Sequence, residues 1–126
     1  MPSNDIRKKI LIVGDPDLTL TYKVGLESNG FQVTVYNDPL VALSNFKSNF
    51  YDLLLLDIKM PKMNGFELHE KIEEKTDDHT RVCFITALEV NYEALREISS
   101  TLDVDCFIQK PILIHELIKR INIELH

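Results

Sequence analysis

Four polar groups follow short apolar runs in this chain, and together they make a set that handles phosphate. Asp15 comes just after Lys9-Ile10-Leu11-Ile12-Val13 and Gly14, and Asp57 ends Leu53-Leu54-Leu55-Leu56. Thr86 closes the run from Arg81, and Gln109-Lys110-Pro111 follows Asp105 to Ile108. Two carboxylates side by side repel and desolvate each other, and an oxygen-preferring divalent cation such as Mg2+ relieves this while also binding phosphate oxygens. A carboxylate can itself attack a phosphoryl group to give an aspartyl phosphate, with a lysine and a metal neutralising the equatorial oxygens. Asp57 suits the nucleophile, Asp15 and Asp57 a shared metal, and Lys110 the neutralising cation.

The chemistry requires these groups to share one rim, so the elements that carry them matter. The β-branched run over 9–13 stopped by Gly14 predicts a buried strand, and 31–36, 53–56, 81–86 and 105–108 predict four more. Between them, Leu18, Leu20, Val24 and Leu26 recur at helical spacing, with Asp17 a candidate N-cap and Asn29-Gly30 a stop. Asn37-Asp38-Pro39 opens a second helix and Asn64-Gly65 a third, which ends in the charged stretch from Glu73 to Asp78. Further helices are expected over 92–102 and 112–125, for five strands and five helices in all. Leu53 to Leu56 is apolar on both faces, as a central parallel strand must be. Regular βα alternation with right-handed crossovers then gives an α/β doubly wound sheet covered on both sides. Ligands of such sheets bind beyond the carboxyl ends of the strands, where the four polar groups fall.

Composition narrows the alternatives. The chain has 126 residues, 44% hydrophobic and 27% charged, which suits one globular domain over 1–126 with no linker, repeat or separate output domain. Its net charge of -6 disfavours direct nucleic acid or anionic membrane binding, which need a basic patch. Met1 to Lys9 lacks the apolar core of a signal peptide, and no long apolar segment occurs. Cys83 and Cys106 are not in a CxxC or Cys/His spacing, so both read as reduced core residues, and a cytoplasmic location follows. His69, His79, His115 and His126 lack metal-ligand spacing and read as solvated side chains. Glu73-Glu74 and Asp77-Asp78 read as a solvated face, and no nucleotide-binding glycine pattern is present.

Leu55-Leu56-Asp57-Ile58-Lys59-Met60-Pro61 followed by Asn64-Gly65, with Ile85-Thr86-Ala87 and Phe107-Ile108-Gln109-Lys110-Pro111, resembles the receiver domain of response regulators over essentially the whole chain. The resemblance implies a flavodoxin-like (βα)5 fold with strand order 2-1-3-4-5. It implies Asp57 as the phosphoacceptor, with Mg2+ held by Asp15, Asp57 and the Lys59 backbone carbonyl. Lys110 and Thr86 would contact the phosphoryl group, Thr86 and Phe107 would act as the switch pair, and a cis peptide bond would precede Pro111. The phosphodonor would be a histidine kinase or a phosphotransfer protein. Output would run through the face made by the 92–102 helix, the last strand and the final helix, by docking, dimerisation or relay.

One position departs from the family pattern. Gly14 stands where the first of two adjacent acids is usual, and the loop after the first strand is about one residue short. An alternative register would let Asp17 supply a carboxylate, and the loss at Gly14 is expected to weaken Mg2+ binding. A second reading is therefore a phosphorylation-independent interaction module that retains Asp57. A third, an aspartate-nucleophile phosphatase of the haloacid-dehalogenase kind, needs a second aspartate where Lys59 stands. A flavodoxin-like flavin carrier needs a phosphate loop that does not follow the first strand.

Overall fold

The computed structural model describes residues 6–76, 79–86 and 106–125. Its elements are β1 (Lys9–Val13), α1 (Pro16–Glu27), β2 (Gln32–Tyr36), α2 (Pro39–Ser44), β3 (Leu53–Asp57), α3 (Gly65–Thr76), β4 (Val82–Thr86), β5 (Phe107–Gln109) and α4 (Ile114–Leu125). The helix expected over 92–102 lies outside the described residues, as do Ala87, Asp105 and the Asp77-Asp78 pair. The five strands form one parallel sheet in the order β2-β1-β3-β4-β5. The expected doubly wound, flavodoxin-like architecture and strand order are thus observed.

The two-sided apolarity of the strands has a direct explanation in register. Successive side chains of a strand point to opposite faces, so a central strand needs apolar residues at every position. Ile10, Ile12, Leu53, Leu55, Ile85 and Ile108 pack with Tyr22 and Leu26 of α1 and Leu117 and Ile121 of α4. Leu11, Val13, Leu54, Leu56 and Phe84 pack on the other face with Ala42 of α2 and Leu68 and Ile72 of α3. The four leucines of β3 are at most 1% exposed, and burial of each stabilises the fold by about 1.5–3 kcal/mol.

The helices begin where local chemistry satisfies their first amides. Asp38 caps α2, its carboxylate accepting from the Leu40 N–H at 2.9 Å, with Pro39 as the first helical residue. Asn64 and Glu67 form a reciprocal capping box at α3, with bonds of 2.8 and 3.2 Å. At α1 the cap is Asp15 rather than Asp17, with Pro16 immediately inside the helix. The short loop brings the helix start forward, so Asp17 falls in the exposed first turn. Helix α3 runs through Glu73, Glu74 and Lys75 and ends at Thr76, inside the charged stretch where its end was expected.

Two residue types behave differently from expectation. Cys83 and Cys106 are joined in a disulfide, not reduced. Phe84 pairs with Phe107 across β4 and β5, so the preceding cysteines face each other on one side of the sheet. Their separation of 23 in sequence conceals this adjacency. On a chain-entropy view, closing a loop of that length restrains the unfolded chain by about 3 kcal/mol. With the disulfide present, the cysteines give no support to a cytoplasmic location. Among the described residues, no helix is long and apolar enough to cross a membrane.

The second is His69, 4% exposed on α3 instead of solvated. Its ring stands edge-on to Phe84 at 5.9 Å, and among the described residues its Nδ1 has no hydrogen-bond partner. Burial lowers its pKa, with Glu73, 3.8 Å from Nε2, opposing that shift and His79 adding to it. A histidine whose folded pKa lies below its unfolded value of 6.5 is stabilising above that value and loses the contribution as pH falls below it. Thermal unfolding between pH 7 and 5 should therefore show a declining midpoint, and His69→Phe should lessen that decline. An equal decline in both proteins would remove His69 as its cause.

Candidate functional site

The rim at the carboxyl ends of β1, β3 and β5 holds a buried ion pair. Asp57, the last residue of β3, is 2% exposed. The Lys110 ammonium, just past β5, donates to Asp57 Oδ2 at 2.9 Å. The Lys59 backbone N–H donates to Asp57 Oδ1 at 3.3 Å, so both carboxylate oxygens are engaged. A buried carboxylate is tolerated only when its charge is compensated in this way. Lys110 Nζ also lies 4.0 Å from Asp15 Oδ2, which places the second carboxylate on the solvent side of the same cation. Asp15 has two duties, because its Oδ1 accepts from the Leu18 N–H at 3.1 Å as the α1 cap.

Backbone contacts lock the strand ends to one another. The Lys110 N–H donates to the Thr86 carbonyl at 2.7 Å, which joins the end of β4 to the lysine. Thr86 itself is 1% exposed. The Gly65 N–H donates to the Ile58 carbonyl at 2.9 Å, and a Cβ at Gly65 would come 2.5 Å from the Asp57 carbonyl oxygen. Only glycine lets α3 start so close to the Asp57 backbone. The Lys110–Pro111 peptide bond is cis, as the resemblance implied.

Phe107 is half-buried and lies on the α3 side of the sheet. Its ring stacks on Phe84 at 5.9 Å and meets Phe66 edge-on at 6.4 Å. Asp15, Asp57 and Lys110 are therefore brought together, Thr86 is tied to Lys110 through its backbone, and Phe107 stands one layer behind. Asp17 is exposed on α1, outside the ion-paired group formed by Asp15, Asp57 and Lys110.

Several residues that position this site carried no signal of their own in the sequence. The Asn37 amide donates to the Gly14 carbonyl and to Thr19 Oγ1, both at 2.9 Å, and holds the loop bearing Asp15. It had read only as part of a helix start. Tyr22 is buried beneath the same loop. Burial raises its phenol pKa, Asp57 and Asp15 raise it further, and a hydrogen bond with the Ile112 backbone opposes them. Tyr22 thus connects α1 to the segment after Pro111, a contact its helical spacing alone did not reveal.

Mg2+ is commonly held by one or two carboxylates together with substrate phosphates and water. Asp15 and Asp57 meet that minimum on this rim. Among the described residues Gly14 leaves no third carboxylate there, and a Cβ at Gly14 would lie 3.2 Å from Asp57 Cβ and 3.4 Å from its Oδ2. A side chain at position 14 would therefore press directly on Asp57. Among the described residues, the one cluster of three metal-type ligands is Cys83, Cys106 and Glu124, two of which are committed to the disulfide.

A parallel sheet of this order, with a buried aspartate, a lysine and a cis proline at its carboxyl rim, defines a class of doubly wound α/β domain. The model of the response regulator receiver domain matches residues 10–122, and the chain belongs to that family. It is 34% identical over 114 residues to the response regulator ArlR of Staphylococcus epidermidis, covering 90% of this chain and 50% of that protein. It is 31% identical over 115 residues to the regulatory protein VanRB of Enterococcus faecalis, with 90% and 50% covered. The chain thus spans about half the length of these curated relatives. Among solved structures, the Francisella response regulator 1452 receiver domain matches with a TM-score of 0.78 and 31% identity, over 94% of this chain and 97% of that one. The non-phosphorylated HemR receiver domain of Leptospira biflexa matches with a TM-score of 0.80 and 31% identity, over 94% of each chain.

The tight approach at Gly65 gives a direct test of the site's frame. Gly65→Ala forces a methyl group against the Asp57 backbone and should destabilise the fold by about 1–3 kcal/mol, measured by urea unfolding. A stability loss within error would show that α3 can move away from β3 at little cost.

Proposed function

We propose that this chain is a phosphoacceptor switch of a two-component or phosphorelay system, with Asp57 as the residue that is phosphorylated. Receiver domains are signalling modules that interact with histidine kinases or phosphotransfer proteins, and in general bind Mg2+ at the phosphorylation site. The observation that carries the reading for this chain is the buried Asp57 carboxylate held by Lys110 at 2.9 Å, with Asp15 on the far side of the same ammonium.

In this reading a carboxylate oxygen of Asp57 attacks the donor's phosphorus, and the P–N bond to the donor histidine breaks with its electron pair leaving on the imidazole. Lys110 exchanges its bond to Asp57 for one to a phosphoryl oxygen and so neutralises the added charge. Asp15, Asp57 and the Lys59 carbonyl are the groups that would hold Mg2+, which supplies charge neutralisation at the phosphoryl oxygens. The Thr86 hydroxyl moves to the phosphoryl group, and Phe107 shifts within its stack against Phe84. The result is a changed surface on the face made by the expected 92–102 helix, β5 and the final helix, for a protein partner, whether a downstream target, a relay protein or a second copy. Direct nucleic acid binding forms no part of this role, because the net charge is -6. A cytoplasmic location belongs to the same proposal, since that is where the phosphodonor would meet the chain.

Gly14 favours a second reading, a receiver that works without phosphorylation, because it removes a carboxylate from the metal set. The phosphatase reading has less support, since Lys59 is exposed and basic where that chemistry needs an acid.

Intact mass after acetyl phosphate with Mg2+ should show one phosphoryl adduct that Asp57→Asn abolishes while leaving the fold intact. Labelling that persists in Asp57→Asn would overturn the assignment, and no labelling across a wide Mg2+ range would favour the phosphorylation-independent reading. Gly14→Asp should tighten Mg2+ binding several-fold while lowering the melting temperature of the metal-free protein, because two carboxylates then press together. Calorimetric titration with Mg2+ checks this, and an unchanged affinity would mean that Asp15 and Asp57 already suffice.

A further inference from the structure

The Cys83–Cys106 disulfide ties together the two strands that carry Thr86, Phe107 and Lys110. Cys83 lies on β4 three residues before Thr86, and Cys106 immediately precedes Phe107. The bond crosses the seam on the α1/α4 face, directly behind the Phe84–Phe107 stack on the α3 face. Hydrogen bonds already close the same seam, from the Phe84 N–H to the Cys106 carbonyl at 3.0 Å and from the Lys110 N–H to the Thr86 carbonyl at 2.7 Å. The covalent link therefore restrains a pair of strands that is already joined, at the place where a switch would have to move.

The two sulfurs differ in their surroundings. Arg120 on α4 reaches Cys106, its Nη2 lying 3.6 Å from Sγ, and the same nitrogen donates to the Phe107 carbonyl at 3.2 Å. The Glu124 carboxylate lies within 4.8 Å of both sulfurs and opposes either thiolate, so the guanidinium is what distinguishes Cys106 and makes it the better leaving group. Both cysteines are nearly inaccessible, 0% and 2% exposed. A reductant thus gains access only when the seam opens.

We infer that Cys83–Cys106 is a thiol–disulfide exchange site with a dithiol as its reducing partner, and that its redox state sets how firmly β5 is held to β4. The reductant thiolate attacks Cys83 Sγ, and the Sγ–Sγ bond breaks with its electron pair leaving on Cys106 beside Arg120. The second thiol of the reductant loses its proton and attacks the reductant sulfur of the mixed disulfide, releasing Cys83 as a thiolate that takes a proton. The net change is two electrons from the dithiol, which ends as a disulfide, to the cysteine pair, and an oxidised dithiol reverses it. Reduction leaves the hydrogen bonds of the seam without their covalent restraint.

The test compares the oxidised chain with chain reduced by dithiothreitol without denaturant, the cysteine state being read by alkylation with iodoacetamide and mass. Amide exchange at Phe84 and Lys110, whose bonds cross the β4–β5 seam, should quicken at least tenfold on reduction. Leu54 and Gln32, bonded elsewhere in the sheet, should change less than twofold. Reduction that occurs only together with global unfolding, or that leaves Phe84 and Lys110 exchange unaltered, overturns the inference. Cys83→Ala/Cys106→Ala should reproduce the exchange of the reduced chain, and the reduced wild type decides the matter if that variant does not fold. Arg120→Leu should slow reduction at least threefold, and an unchanged rate removes Arg120 from the exchange step. A further arm rests on the phosphoacceptor reading: the rate of Asp57 labelling by acetyl phosphate should differ at least threefold between the redox states. Equal rates in the two states overturn the link from seam to switch, whereas no labelling in either state counts against the phosphoacceptor reading alone and leaves the exchange result to decide the redox site.

Discussion

The ion pair between Asp57 and Lys110 is the constraint around which the rest of the molecule is arranged. A carboxylate that is 2% exposed persists as a charge only with a cation at hydrogen-bond distance, and the Lys110 ammonium supplies one at 2.9 Å. The lysine can be there only if β5 ends beside the rim, and β5 is positioned through β4. The pair thus spans 53 residues of sequence and three strands of sheet. Breaking the sheet order would separate the charges and leave Asp57 buried without compensation.

Tight local packing serves the same constraint. Gly65 brings α3 onto the Asp57 backbone, and Gly14 leaves room beside its side chain. Asn37 holds the loop that carries Asp15, while Tyr22 reaches from α1 toward the segment after Pro111. Most of these contacts act on the backbone that carries the charged groups. Asp15 shows the economy of a shortened loop, since one carboxylate caps α1 and faces Lys110. That dual use ties the helix start to the electrostatics of the rim.

The far side of the sheet responds to the same geometry. Thr86 and Lys110 meet through the backbone, the Phe84, Phe107 and Phe66 rings stack behind them, and the disulfide crosses beneath. Motion of β5 is therefore coupled at once to the charged rim, the aromatic layer and the sulfur pair. A packed core of this kind moves between discrete arrangements rather than deforming gradually. By strand alternation Asp57 and the two cysteines lie on the same face of the sheet, the carboxylate at the end of the seam and the sulfur pair further along it.

Much of this was legible in the amino-acid order because it depends on local periodicity and on residues that end strands. The leucine run at 53–56, the Asn64-Gly65 helix start and the polar residues closing each strand declare the α/β architecture and the composition of the rim. What the order of residues left hidden arises from contacts distant in sequence. Asp17 read as the cap until the helix start was placed two residues earlier at Asp15, and His69 looked like a surface residue until α3 turned it against Phe84. Cys83 and Cys106 became partners only when parallel β4 and β5 came into register. Strand-end chemistry is written in adjacent residues, whereas burial and pairing depend on which elements the fold sets side by side, and only the tertiary structure decides that.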